Sequence, residues 1–537
     1  MRRPTPHLAL LALLLACGPA ETPPPTPESP ESPESPVETE PEVVAPTPAA
    51  PASPSTRRVV YRPEELVELT AVTQLDLAFS PTDRLERRAE LEEGRNYDDV
   101  CSGLDLTQVA ARAPQLRELR VSGCQTAVQV GLGAFVGLEV LELADLTLDG
   151  VTMGKIASLA QLKDLTLTRI KPGAEPMTVL GRLALERLVL RELDTDSAVG
   201  GVAAQAPHLR EASLEGPWAG HEAMLALGKA GKLRTLRLID TRIGNFSLHQ
   251  IKPLLELRNI TWQGPTFNDN SLLYVRDLPL ESFTCACPGL GDAGLKILGR
   301  QLGLRELSLP QSRITGAGLA LLGKLERLAT IHLARRDPGP DGLAALVHLP
   351  GLRSLSLILP APAVLADPSL TSLGEAVGLR QLVLDIPTLD DRAAPQLATL
   401  TRLEQLDLGG TQISDLGLKS LAGLTQLTEL KLHHTRVTNR GLANLAGLSR
   451  LRLLELDHTD LVDDGVAHLK QLTALRVLRL DKTLITDAAL PHLLGMTELE
   501  QLNLADTVVT AEGVAVLRKL PALRAVNLAR TRAETGR

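Results

Sequence analysis

The densest collection of side chains able to do chemistry in this sequence is His433, His434, Asp457, His458, Asp481 and Lys482, with Asp506 beside them. Two imidazoles and a carboxylate are the donor set of a transition-metal site, and a His–Asp pair is half of an acid–base apparatus. Either chemistry needs more than residue types. A ligating imidazole must be oriented by a partner, which spacing alone does not supply here, and Lys482 places a repelling cation among the ligands. No GxSxG, HExxH or phosphate-loop motif accompanies the cluster. No catalytic residue, metal or cofactor is therefore assigned. Three readings stay open: a metal site, a protein-contact patch and a solvated polar face. The working expectation is a protein-contact patch made of Lys431, His433, His434, Glu455, Asp457, His458, Arg479, Asp481 and Lys482.

The spacing of these residues reveals the elements that carry them. Leu403, Leu406 and Leu408 recur as Leu427, Leu430 and Leu432, then Leu451, Leu454 and Leu456, a step of 24 residues that continues to Leu523, Val526 and Leu528. Working backwards, triplets open at Leu379, Leu352, Leu328 and on to Leu116, with steps from 22 to 27. Eighteen units result, nineteen if Val72, Leu75 and Leu77 open one. Each LxxLxL reads as a short strand with alternate residues inward. A helix follows: Ser414 and Asp415 offer N-cap oxygens, and Leu418, Leu421 and Leu424 keep one apolar stripe. One unit cannot bury both apolar faces, so neighbours must stack.

These residues resemble the leucine-rich-repeat family, and Thr411 to Leu418, echoed by Thr483 to Leu490, looks like its cysteine-containing subtype with Thr in place of Cys. The resemblance runs from about Leu116 to the C-terminus. It implies an α/β horseshoe solenoid, with a parallel sheet on the concave face, short helices on the convex face, and a protein as the usual ligand. The row Thr411, Thr435, Thr459, Thr483, Thr507 and Thr531 is expected to satisfy backbone groups in the turn between strand and helix. Across the sheet, Asp407, Lys431, Glu455, Arg479 and Asn503 form one row in which opposite charges alternate and pair, whereas Thr166, Ser213, Thr261, Thr284, Ser308 and Ser356 make the earlier half hydroxyl-rich.

The N-terminus reads as an address and a leash. Arg2 and Arg3 precede an apolar run from Leu8 to Ala16, long enough for a signal peptide and too short to span a bilayer. Leu14-Leu15-Ala16-Cys17-Gly18 resembles the bacterial lipobox, which implies lipidation of Cys17, export and membrane anchoring. Gly18 after the cysteine suits outer-membrane sorting in a two-membrane bacterium, again by resemblance. From Gly18 to about Thr56 the chain is Pro-rich, with seven Glu and no Lys or Arg, a composition that builds no core and favours an extended tether. The expected organisation is a signal at 1–16, lipidated cysteine and tether at 17–58, an N-terminal cap at 59–114 and repeats at 115–537.

Other features fit this frame. Cys101 and Cys124, in or beside the cap of an exported protein, can form a capping disulfide, while Cys285 and Cys287 are expected as buried thiols. Pro360, Pro362 and Pro368 stretch one unit to 27 residues and should disturb stacking there. Trp218, Phe246, Trp262, Phe267, Tyr274 and Phe283 are expected to pack inside, with Trp218 or Phe267 as the alternative exposed hot spot. A formal net charge of −8, with both signs interspersed, excludes the basic field that nucleic-acid binding requires. The partner is an unidentified protein, with the membrane reached through the lipid anchor. Envelope-structural or glycan binding is the alternative, though few aromatic rings are available to stack sugars.

Overall fold

A computed structural model describes residues 57–60, 72, 74–78, 104–172, 180, 182–193, 206–335 and 338–533. All belong to one unit, Ser55–Arg537. The signal segment, Cys17 and most of the tether lie outside the described residues.

The described residues form a 20-stranded sheet from Arg57–Val60 to Ala525–Asn527, beside a two-stranded pair of Thr147–Leu148 with Lys171–Pro172. Each strand pairs in parallel with the next in sequence, and register carries the repeat across: Leu430 lies opposite Leu454, and Leu454 opposite Leu478. The inward leucines have essentially no exposure. Each unit offers one apolar strand face and one apolar helix stripe, so only stacked neighbours remove both from water. The sheet reaches further back than the leucine triplets alone suggest. Val72, Leu75 and Leu77 are buried in the unit around Gln74–Ala78, and Arg57–Val60 pairs with that strand.

The return segments are short. In Asp415–Leu421, Gly417, Leu418 and Leu421 are buried while Leu416 faces out. Other units close with a tighter 3-10 turn, such as Asp487–Gly495, whose interior Pro491 has no N–H to give an α-helix. Among the described residues no helix is long and apolar enough to cross a membrane.

Two polar ladders run along the array, one closing the turn within each unit and one tying each unit to the next. The threonine row is buried as expected, and each hydroxyl donates to the carbonyl three residues earlier, Thr411 to Leu408 and Thr435 to Leu432 at 2.6 Å. The second ladder corrects the expected role of Asp415. Its carboxylate does not cap its own helix, which Ser414 does through Leu416 N–H. It accepts instead from Thr438 of the next unit, from N–H and from Oγ1 at 2.7 Å each. Asp463 holds Thr486 and Asp487 holds Thr510 in the same way. Room for this carboxylate comes from glycine two residues into the next helix: a Cβ at Gly441 would overlap Asp415 Oδ1.

The proline-rich unit does not interrupt pairing. Ser354–Ile358 stays in register with Gln381–Asp385 over five residue pairs, because the extra residues are taken up in the strand-to-helix turn that holds the cis Ala361–Pro362 peptide. Cys285 and Cys287 are buried but bonded to each other rather than free thiols, since alternate strand positions bring their Cα atoms to 5.2 Å. Cys124 is disulfide-bonded; Cys101, its expected partner, lies outside the described residues. Trp262 stacks on Phe267 and meets Phe283 edge-on, all three fully buried. Trp218 is buried too and donates to Glu215 O at 2.8 Å. Among the described residues the exposed large aromatic ring is Phe246, 78% accessible on the helix side beside His221.

Candidate functional site

The cluster sits where the strands Gln405–Asp407, Glu429–Lys431, Leu453–Glu455, Val477–Arg479 and Gln501–Asn503 end. In-register pairing aligns Asp407, Lys431, Glu455, Arg479 and Asn503 in one row. The expected charge pairing is present: Lys431 Nζ is 3.7 Å from Asp407 and Arg479 Nη1 is 3.5 Å from Glu455. The earlier half of that row is more mixed than its hydroxyls suggest, because Arg237 and His332 interrupt it.

Three residues past each of these strands the backbone turns into the left-handed region. His434, His458 and Lys482 have φ of 53°, 55° and 54°, and Gly410 occupies the equivalent place one unit earlier. Histidine is among the residues that tolerate this region better than most, though each instance costs roughly 1–2 kcal/mol. The turn is held by parallel hydrogen bonds that continue beyond the strands, from His434 N–H to Asp457 O and from His458 N–H to Asp481 O. Identical backbone in adjacent units therefore aims identical side chains along one line. The His434 and His458 rings stack with centroids 3.8 Å apart.

The row just before the turn is Gly409, His433, Asp457 and Asp481. His433 lies over Gly409, where any Cβ would overlap the imidazole. Gly409 is thus a site residue that its type alone does not reveal; the signal is its position one period before His433. His433 Nδ1 stands 3.5 Å from Glu455 Oε2, yet it is buried without a hydrogen-bond partner. The contact is an ion pair when His433 is protonated. The Glu455 carboxylate holds His433 above the ordinary imidazole range against the opposing effect of burial, and His433 in turn lowers Glu455.

His458 Nδ1 is 3.1 Å from Asp457 Oδ2, supplying the imidazole-orienting partner that spacing could not show. Burial, then the neighbouring His458, lowers His434. Burial and the charge of Asp457 raise Asp481, which accepts from Asn503 Nδ2 at 2.6 Å. Lys482 is exposed, and Asp506 is drawn away to Arg530. All nine expected residues therefore lie in three consecutive units, but the imidazoles and carboxylates form the interior of the cluster while Lys431, Arg479 and Lys482 edge it. One ligand atom from each of His434, Asp457 and His458 falls within 4.8 Å of the others, as it does for His433, Glu455 and Asp457. A second polar groove, lined by Arg187, Arg191, Glu211, Glu215 and Arg237, is largely self-paired through Arg187–Glu211 and Arg191–Glu215.

No protein-family model and no curated protein sequence matches the chain. Among solved structures, an internalin from Listeria monocytogenes is similar at 16% identity, over 74% of this chain and 83% of its own, with a TM-score of 0.32. A leucine-rich-repeat protein from Leptospira interrogans is similar at 16% identity, over 73% and 91%, with a TM-score of 0.36. A plant peptide hormone receptor, solved in complex with RGF2, is similar at 16% identity, over 79% and 76%, with a TM-score of 0.34. At such identities and scores the fold rests on the geometry of this chain itself: a short strand with inward apolar residues per unit, unbroken parallel register and a short α- or 3-10 helix on the returns that are fully described. That geometry makes the chain a leucine-rich-repeat solenoid.

Proposed function

We propose that this protein is an exported lipoprotein, anchored through Cys17, that binds another protein with the exposed face of its sheet. One observation carries the binding reading. Lys431, His433, His434, Asp457, His458, Arg479, Asp481 and Lys482 stand together on consecutive units of a rigid sheet, partly or fully accessible and of both charge signs. Such a surface recognises a complementary protein surface by matched polar groups rather than by a deep cavity. The anchor is supported by the motif ending Leu14-Leu15-Ala16-Cys17-Gly18, and the tether composition supplies reach. Binding rather than catalysis is favoured because repeats occupy nearly the whole chain beyond the tether. Glycan binding is less favoured, since among the described residues the exposed large aromatic ring, Phe246, lies on the helix side.

The test is a photo-crosslinking residue placed at Lys431 or Lys482 in intact cells. One recurrent protein product is expected at these positions and not at Leu416 on the helix side. Replacing His433, His434 and His458 together should abolish that product; an undiminished product would remove the patch from the interface.

A further inference from the structure

We propose that His434, Asp457 and His458 bind one divalent transition-metal ion, with zinc as the best-fitting occupant. The inference is independent of the protein-binding reading, because it concerns an ion and the isolated chain.

The donor geometry carries it. His458 Nδ1 and Asp457 Oδ2 are 3.1 Å apart, within the roughly 3.0–3.4 Å expected between two ligands of one zinc ion. Metal would take the place of the proton these two groups share. His434 brings the third donor: its ring lies against His458, and one of its nitrogens is within 4.8 Å of the other two ligand atoms. His434 is exposed, so rotation about its side-chain bonds closes the remaining distance without moving the core. Two imidazoles and one carboxylate suit zinc and its transition-metal neighbours, whereas calcium and magnesium take oxygen ligands.

The surroundings are arranged to hold such an ion. The two histidines sit on equivalent left-handed turns of adjacent units, each tied to the following unit, by His434 N–H to Asp457 O at 3.0 Å and His458 N–H to Asp481 O at 3.1 Å. The turns therefore present their side chains at a spacing set by the sheet. Asp481, held by Asn503, places a second carboxylate beside Asp457 and adds negative field at the site. The overlapping set His433, Glu455 and Asp457 is a poorer candidate, because Glu455 is already compensated by Arg479 and His433. Lys482 is the opposing charge, and its exposed four-carbon stem lets it swing aside.

Zinc titration of the purified full-length chain by calorimetry tests the proposal, with cobalt(II) absorption reporting the ligand set. One ion per chain is expected. His434→Gly and His458→Gly should each weaken binding by at least about tenfold. Glycine is chosen because Gly410 already occupies this turn one unit earlier, so unchanged melting curves should confirm folding. Lys482→Gln should tighten zinc binding several-fold, the signature of a like-charge neighbour rather than of a structural defect. Absence of saturable zinc binding, or unchanged affinity in both glycine variants, overturns the proposal.

Discussion

The smallest decisive feature of this protein is a residue with no side chain. Gly409 lies beneath His433, and in its absence the imidazole would have to leave the Glu455 carboxylate that it faces. Gly409→Ala is expected to destabilise the chain by about 1 kcal/mol through overpacking, and the effect should vanish in a His433→Ala background. Chemical denaturation of the two single variants and the double variant measures this, and equal losses in both backgrounds would contradict it. His332 gives a second residue-scale test. It is half-buried next to Ser356, 2.9 Å away, and burial depresses its pKa. The unfolded chain therefore binds its proton first, so this site favours folding above the unfolded value near about 6.5 and loses that contribution as pH falls below it. Comparing the pH dependence of stability before and after His332→Asn should show a flatter acid limb in the variant. His433 acts in the opposite direction, its folded pKa being raised, which is why the comparison rather than the parent profile is informative.

Between elements, stability is governed by contacts that cross from one unit to the next. The Asp463 carboxylate accepts twice from Thr486, at the start of the following return segment. Asp463→Ala leaves that N–H and hydroxyl without their acceptor and should cost about 1–3 kcal/mol. Asp463→Asn should cost less, because Asn439 already fills the equivalent place and accepts from Val462 N–H. Hydrogen exchange should locate the loss at the junction of these two units, and protection lost evenly along the array would argue against a local ladder. The threonine ladder works within units, each buried hydroxyl returning to a carbonyl three residues back. Both ladders were partly legible. The Thr period and its turn position are evident from spacing, whereas spacing places Asp415 on its own helix, because an N-terminal carboxylate ordinarily caps locally. The choice between capping its own helix and bonding the next one depends on how far apart the units stack, a distance no single unit encodes.

At the scale of the molecule, a linear array carries an accessible sheet face, and the proposed anchor and leash would deliver that face to a partner. Deleting residues 17–54 should leave the melting temperature of the repeats unchanged, because the described fold lies within Ser55–Arg537, while abolishing membrane association. Cys17→Ala alone should also release the protein from membranes, and persistence in the membrane fraction would refute the anchor. What the sequence determined was everything that repeats with the period: the parallel strands, the inward leucines, the threonine row and the alternating charges from Asp407 to Arg479. These follow from local periodicity, since identical units placed in register bring identical positions together. The tertiary structure alone decided what depends on the turn geometry and on fit: the left-handed backbone under His434 and His458, their stacking, and the clearance at Gly409. It also decided that Phe246 rather than Trp218 or Phe267 is exposed, and that Pro360 leaves the register whole. Such outcomes turn on ångström-scale contacts between side chains 24 residues apart, which periodicity can align but cannot orient.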